Sequence, residues 1–231
     1  MNELELNFDI NLDLDFDLNI DLGFDAELKS NLIKPAYHKP INDNFVKYDN
    51  AKKLATDIGL LKEDQRAFAI ISGSFIFGDF IEAYIVENEL KVKELTISTL
   101  SMSMENIDSL LGLLECNDVA KMNLIISAYF FSHNRWTYIK YLDEQLKPEW
   151  DFTLAVAGTH CKTAIMELET GEKIVIHGSA NLRSSANIEQ FMIEENKQLY
   201  DFNYEYQEKI IKYYSATKKQ LRVSKLWKEI T

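Results

Sequence analysis

"GTHCKTAIMELETGEKIVIHGSANLRSS", residues 158–185, decides how the chain is read. Thr163–Leu168 and Lys173–Gly178 are short runs rich in strand formers, and Glu169-Thr170-Gly171-Glu172 lies between them. Gly suits the positive φ that a tight hairpin turn demands, so the stretch predicts a β-hairpin. A four-residue loop makes Thr163 the partner of Gly178. Carried outward, that register sets Lys162 opposite Ser179 and His160 opposite Asn181. Opposed residues share a face, as do residues two apart on one strand. One patch then collects an imidazole, an ammonium, a hydroxyl and a carboxamide. His177 falls on the same face, opposite Ala164 and one layer deeper. Cys161, Thr163, Ile165, Glu167, Ile174 and Ile176 fall on the other face, which should meet the core. A one-residue bulge would undo the whole arrangement, because a slip of one turns every side chain over.

Such a patch suits a phosphate. Lysine and asparagine hold its oxygens, and imidazole can attack phosphorus or carry a proton. Arg183, just beyond Asn181, could add a phosphate contact, and His177 is a second substrate-side candidate. Neither a carboxylate cluster for Mg²⁺ nor a Cys/His zinc spacing occurs here, so no metal and no cofactor is expected.

Outward from the hairpin, strands and helices alternate. "RAFAIISG", "ELTISTL", "KMNLIISAYF" and "DFTLAVAG" read as strands. "DFIEAYIVEN", "SMENIDSLLGLLECN" with Ser103 as its cap, and "NRWTYIKYLDEQL" closed by Pro148 read as helices. "EQFMIEE" follows as a last strand and "KQLYDFNYEYQEKIIKYY" as a long helix. The alternation predicts an α/β sandwich with a mixed, mainly parallel sheet flanked by helices.

The ends differ from the middle. Every even position from Leu4 to Phe24 is apolar and every odd one from Glu3 to Asp25 is polar or Gly. That is a strand period, but at about 3.3 Å per residue it would span roughly 70 Å. Asp and Asn are also poor strand formers. Residues 1–30 carry nine acids against Lys29. They are expected to be flexible, or to pair as a strand with a protein partner through residues 3–25. An acidic cover for a basic groove is another reading. Residues 31–65 read as a linker with a short helix at Ala51–Ile58, and residues 66–215 as the folded domain. Residues 216–231 read as a basic tail. Lys209, Lys212, Lys218, Lys219, Arg222, Lys225 and Lys228 run without an acid between them, with Tyr213, Tyr214 and Trp227 interspersed. Cations and aromatics together suit nucleic acid, although a solvated helix face would look the same. The net charge of −12 hides this asymmetry. Cys116 and Cys161 form no disulfide framework, and no apolar run approaches membrane-spanning length. A cytoplasmic protein without a membrane partner is expected.

His160-Cys161-Lys162 followed by Gly178-Ser179-Ala180-Asn181 resembles the phospholipase D superfamily. Its signature is His-x-Lys, an Asp five after the Lys, and a downstream Gly-Ser-x-Asn. The likeness spans roughly residues 66–215 and implies a phospholipase D-like sandwich. It implies Glu189 as the acid supporting the histidine. Glu167 stands where the family has Asp. The family's site is formed by two such motifs about a two-fold axis. This chain has one, since Pro40 and Arg135 stand two residues after His38 and His133. The resemblance therefore implies a homodimer with a shared site. It further implies a metal-independent phosphodiesterase working through a phosphohistidine. Single-motif members resemble bacterial and phage-type nucleases more than lipases. The expected partner is nucleic acid, with DNA placed ahead of RNA. The alternative is an inactive nucleic-acid-binding or adaptor protein on the same fold.

Overall fold

The computed structural model describes residues 36–39, 42–47, 51–71, 75–183 and 187–216. The acidic head and all of the basic tail but Ala216 lie outside the described residues.

Nine strands form one sheet: β1 (Ala36–Lys39), β2 (Asn42–Lys47), β3 (Arg66–Ile71), β4 (Val92–Thr99), β5 (Lys121–Ser127), β6 (Asp151–Ala157), β7 (Thr163–Leu168), β8 (Lys173–Gly178) and β9 (Glu189–Glu195). Their spatial order is β2-β1-β3-β9-β8-β7-β4-β5-β6. The helices are α1 (Ala51–Ile58), α2 (Phe77–Glu87), α3 (Met104–Glu115), α4 (Ala128–Asn134), α5 (Lys140–Gln145) and α6 (Lys197–Tyr214). A π-helical turn, Arg135–Ile139, joins α4 to α5.

The sheet is mixed, as expected, but it is not mainly parallel. Only β4–β5 and β5–β6 are parallel. The other six pairings are antiparallel. The reason is topological. Following the pairings, β3, β4, β5 and β6 do run the same way, as their helical crossovers require. The β7–β8 hairpin and β9 then insert between β3 and β4 and pair antiparallel with both. Alternation along a chain gives strand direction, but not which strands become neighbours. Residues 36–47, read as linker, add two antiparallel strands beside β3.

Both faces of the sheet are covered. Leu95, Ile97, Leu124, Ile126, Ala164, Met166, Ile174, Ile176 and Phe191 face the main core, which α1–α5 roof. Phe191 lies 4.6 Å, centroid to centroid, from the Phe80 ring of α2. On the other face α6 lays Leu199, Tyr200 and Tyr204 over Ile165 and Val175, and Ile210 and Ile211 over Ile125 and Ala155. Strands covered on both sides explain the near-continuous apolar run Met122–Ile126, which only Asn123 interrupts. Asn123 donates to Glu94 (2.7 Å) and Thr96 (3.1 Å), and Lys121 pairs with Glu94 at 2.7 Å.

The caps are local. Ser103 accepts from the Asn106 backbone N–H, and Asn106 accepts in return from the Ser103 N–H, a closed capping box on α3. Asn196 caps α6 by accepting from the Leu199 N–H. "KMNLIISAYF" splits where Ser127 ends β5 and caps α4, accepting from the Phe130 N–H at 3.0 Å.

Candidate active site

The hairpin forms with the strand bounds expected, but one residue out of the expected register. Its loop has three residues, not four: Leu168 donates to the Glu172 carbonyl at 3.0 Å and Gly171 sits at φ 105°. This is the turn-plus-bulge form of hairpin, in which glycine takes the left-handed position. Thr163 therefore pairs with His177, and Ala164 with Ile176. Lys162 lies opposite Gly178, whose N–H donates to the Lys162 carbonyl at 3.2 Å. The expected pairings of Lys162 with Ser179 and His160 with Asn181 do not occur.

The slip divides the expected constellation. Ile174 and Ile176 meet the main core as expected, but Thr163 and Ile165 lie on the opposite face, under α6. His177 shares a face with Thr163 on the α6 side, away from His160 and Lys162. There its Nε2 bonds the Glu194 carboxylate at 3.1 Å, and Gln207 of α6 donates to Thr163 Oγ1 at 2.8 Å. His177 does not join the cluster. Glu167 also faces α6, bridged to Lys173 at 2.7 Å and Lys93 at 3.1 Å. Those two ammonium groups, Lys173 foremost, hold its carboxyl below the usual range.

The cluster nevertheless assembles, because β8 leaves β7 after Gly178 and follows β9. Phe191 sits opposite Gly178 so tightly that a Cβ there would lie 2.1 Å from the Gln190 carbonyl oxygen. Only glycine fits. Ser179 donates its N–H to the same carbonyl at 2.9 Å. Its hydroxyl accepts from the Gln190 N–H at 3.0 Å and donates in a short contact to the Glu189 carboxylate. After Ser179 the loop anchors itself by alternation. Ala180 and Leu182 are buried, while Arg183 is exposed and Asn181 half-buried. Asn181 Oδ1 accepts from the Leu100 N–H at 3.3 Å, tying the loop to the end of β4.

From the other side, the chain leaves β6 through a turn in which Thr159 Oγ1 accepts from the Cys161 N–H at 3.1 Å. His160 is exposed and Lys162 half-buried. Lys162 Nζ lies 3.1 Å from His160 Nδ1 and 3.1 Å from the His160 carbonyl oxygen. An ammonium can only donate, so Nδ1 is the acceptor and a neutral ring carries its proton on Nε2. Burial pushes the Lys162 pKa down, and the Glu189 carboxylate opposes that shift. Glu189 is tied to the cluster by the Ser179 hydroxyl that its carboxylate accepts, and its charge opposes the downward shift of Lys162. The structure brings together His160, Lys162, Ser179 and Glu189, with Asn181 on the adjoining loop. Arg183 borders a crevice lined also by Asn181 and Glu189. Among the described residues no group of three or more His, Cys, Asp or Glu could hold a metal ion. Cys116 and Cys161 are both free.

The fold is a mixed α/β sandwich with a histidine–lysine pair at the open end of a hairpin. Among solved structures the chain is similar to NucT from Helicobacter pylori, at 15% identity and a TM-score of 0.44, over 64% of this chain and 96% of that one. It is similar to Nuc of Salmonella typhimurium, a phospholipase D family member, at 15% identity and 0.40, over 52% and 78%. It is also similar to phosphatidylserine synthase of Haemophilus influenzae, at 12% and 0.48, over 76% of this chain but only 43% of that one. No family model matches the chain, and neither does any curated protein. Among the described residues no helix is long and apolar enough to cross a membrane.

Proposed function

We propose that the chain is a metal-independent phosphodiesterase, a nuclease acting on DNA ahead of RNA, with one active site shared by two copies. The observation that carries this reading is the contact of Lys162 Nζ with His160 Nδ1 beside the Ser179–Glu189 pair. An entering phosphate competes for the ammonium. As Lys162 moves onto phosphate oxygens, Nδ1 is released to take the ring proton and Nε2 is left unprotonated. Its lone pair then forms a bond to phosphorus, and the bond from phosphorus to the leaving oxygen breaks. The partner subunit's His160, entering the step as the imidazolium, gives that oxygen a proton and is left neutral. In the second half the same group takes a proton from water, the water oxygen bonds phosphorus, and the phosphorus–nitrogen bond breaks. Lys162 and Asn181 hold the phosphate throughout. Ser179 and Glu189 position rather than react, fixing the loop end and adding a negative charge that opposes the downward shift of Lys162.

The test is a cleavage panel over single- and double-stranded DNA and RNA in EDTA. Wild type should cleave at least one substrate, and His160→Ala should cleave none. Sedimentation should return twice the 26.8 kDa chain mass. Nucleic-acid binding without cleavage of any substrate would refute the catalytic reading and leave a binding protein on this fold.

A further inference from the structure

Away from the hairpin, α4 and the π-turn behind it carry a run of exposed rings. Phe130, Phe131 and Ile139 are buried, whereas Tyr129, His133, Trp136 and Thr137 are exposed. Tyr129 and His133, spaced i, i+4, share one face of α4, and Trp136 follows on the π-turn directly behind it. Tyr129 is 41% and Trp136 78% exposed, so both rings present broad surfaces to solvent. The Tyr129 and His133 rings lie 4.1 Å apart. The imidazole is held in place, since its Nδ1 donates to the Tyr129 carbonyl at 2.9 Å. The Arg135 guanidinium sits 5.3 Å from the Trp136 ring and 6.0 Å from Phe131, a cation fixed against the end of the ladder.

The face is wired to the candidate active site. Ser127, which caps α4, donates its hydroxyl to the Leu100 carbonyl at 3.1 Å. The Leu100 N–H donates to Asn181 Oδ1. The ladder thus starts two residues from a side chain bonded to the strand end that holds Asn181. π-Turns of this kind often sit at functional positions.

We infer that Tyr129, His133, Arg135 and Trp136 form a stacking track for the unpaired bases of single-stranded nucleic acid. Bases lie on the rings, and Arg135 meets the backbone phosphates beside Trp136. Duplex bases are already stacked on each other and present only their edges, so this face discriminates for single strands. The inference rests on the nucleic-acid reading above and sharpens it from nucleic acid in general to unpaired strands.

Binding is measured in His160→Ala protein, which does not cleave, with a fluorescent single-stranded oligonucleotide and its duplex. Trp136→Ala and Tyr129→Ala should each weaken single-strand binding about tenfold and duplex binding by no more than about twofold. Trp136→Phe should restore most of the loss, because it returns a ring. On a background with His160 intact, hydrolysis of bis(p-nitrophenyl) phosphate should be unchanged by these substitutions. Unaltered single-strand affinity overturns the track, as does equal loss for duplex. A change in dimer mass, or a loss of vesicle binding, on removing the rings also overturns it. If wild type fails to hydrolyse the small diester, the phosphodiesterase reading falls, and the binding arms still decide the track.

Discussion

Gly178→Ala is the sharpest perturbation this fold offers. The added methyl would lie 2.1 Å from the Gln190 carbonyl oxygen, 2.6 Å from Phe191 Cα and 2.8 Å from Phe191 Cβ. The two nearest atoms are backbone, so no flexible side chain can move aside. The strands β8 and β9 must part by about 1 Å where Ser179 crosses onto Gln190, since carbon–oxygen contacts settle well above 3 Å. Overpacking of this kind costs about 1–3 kcal/mol. Separation also weakens the Ser179 N–H to Gln190 carbonyl bond and the Gln190 N–H to Ser179 hydroxyl bond, at about 1 kcal/mol each. The expected loss is about 3–5 kcal/mol in urea denaturation followed by circular dichroism. Gly112→Ala is the matched control. It lies in α3 with nothing within 4 Å of the new methyl, so it should gain about 0.5–1 kcal/mol. Diesterase activity should fall in the first variant and not the second, because only the first moves Ser179 and Glu189. A Gly178→Ala protein within about 0.5 kcal/mol of wild type would refute the close approach of β9.

Glu189→Gln removes the carboxylate that opposes the downward shift of Lys162, leaving burial unchecked. The alkaline limb of the pH–rate profile should move to lower pH, and an unmoved limb would exclude this coupling. Glu167 has a folded pKa below its unfolded value, so the stability it contributes is present above about pH 4.5 and disappears as pH falls through the folded pKa. Glu167→Gln should therefore cost about 1–2 kcal/mol near pH 7, where Lys173 loses a partner, and the gap should close in acid. Equal losses at pH 7 and pH 3 would contradict the ion pairs. Ser103→Ala opens the capping box of α3 and should cost about 1 kcal/mol in the same denaturation assay.

Most element bounds and caps were legible in the sequence, because they are set over a few residues. The bounds Thr163–Leu168, Lys173–Gly178, Glu189–Glu195 and Lys197–Tyr214 coincide with the strands and helix observed. Ser103 caps its helix for the reason its hydroxyl suggests. The π-turn at Arg135–Ile139 was not legible, because nothing in the 3.6-residue period marks an added residue. Neither were the strands at 36–47, whose order comes from the edge of β3 rather than from their own composition.

The site shows the same division more finely. His160, Lys162, Ser179 and Asn181 were legible from residue type and spacing, and Glu189 from a family likeness. Which of them meet was decided only by tertiary structure. One residue fewer in the loop at Gly171 turned His177 to the α6 face. A strand from twenty-odd residues downstream of Lys162 brought Glu189 to it, across a glycine that leaves room for no side chain. The sequence by itself determined the central strands, the place of the turn and the reactive groups, because propensity and turn residues are properties of neighbours along a chain. Strand order, the pairing of β9 with β8 and β3, and the Lys162–Glu189 coupling belong to the tertiary structure. They depend on distances between segments that share no local interaction until the sheet closes.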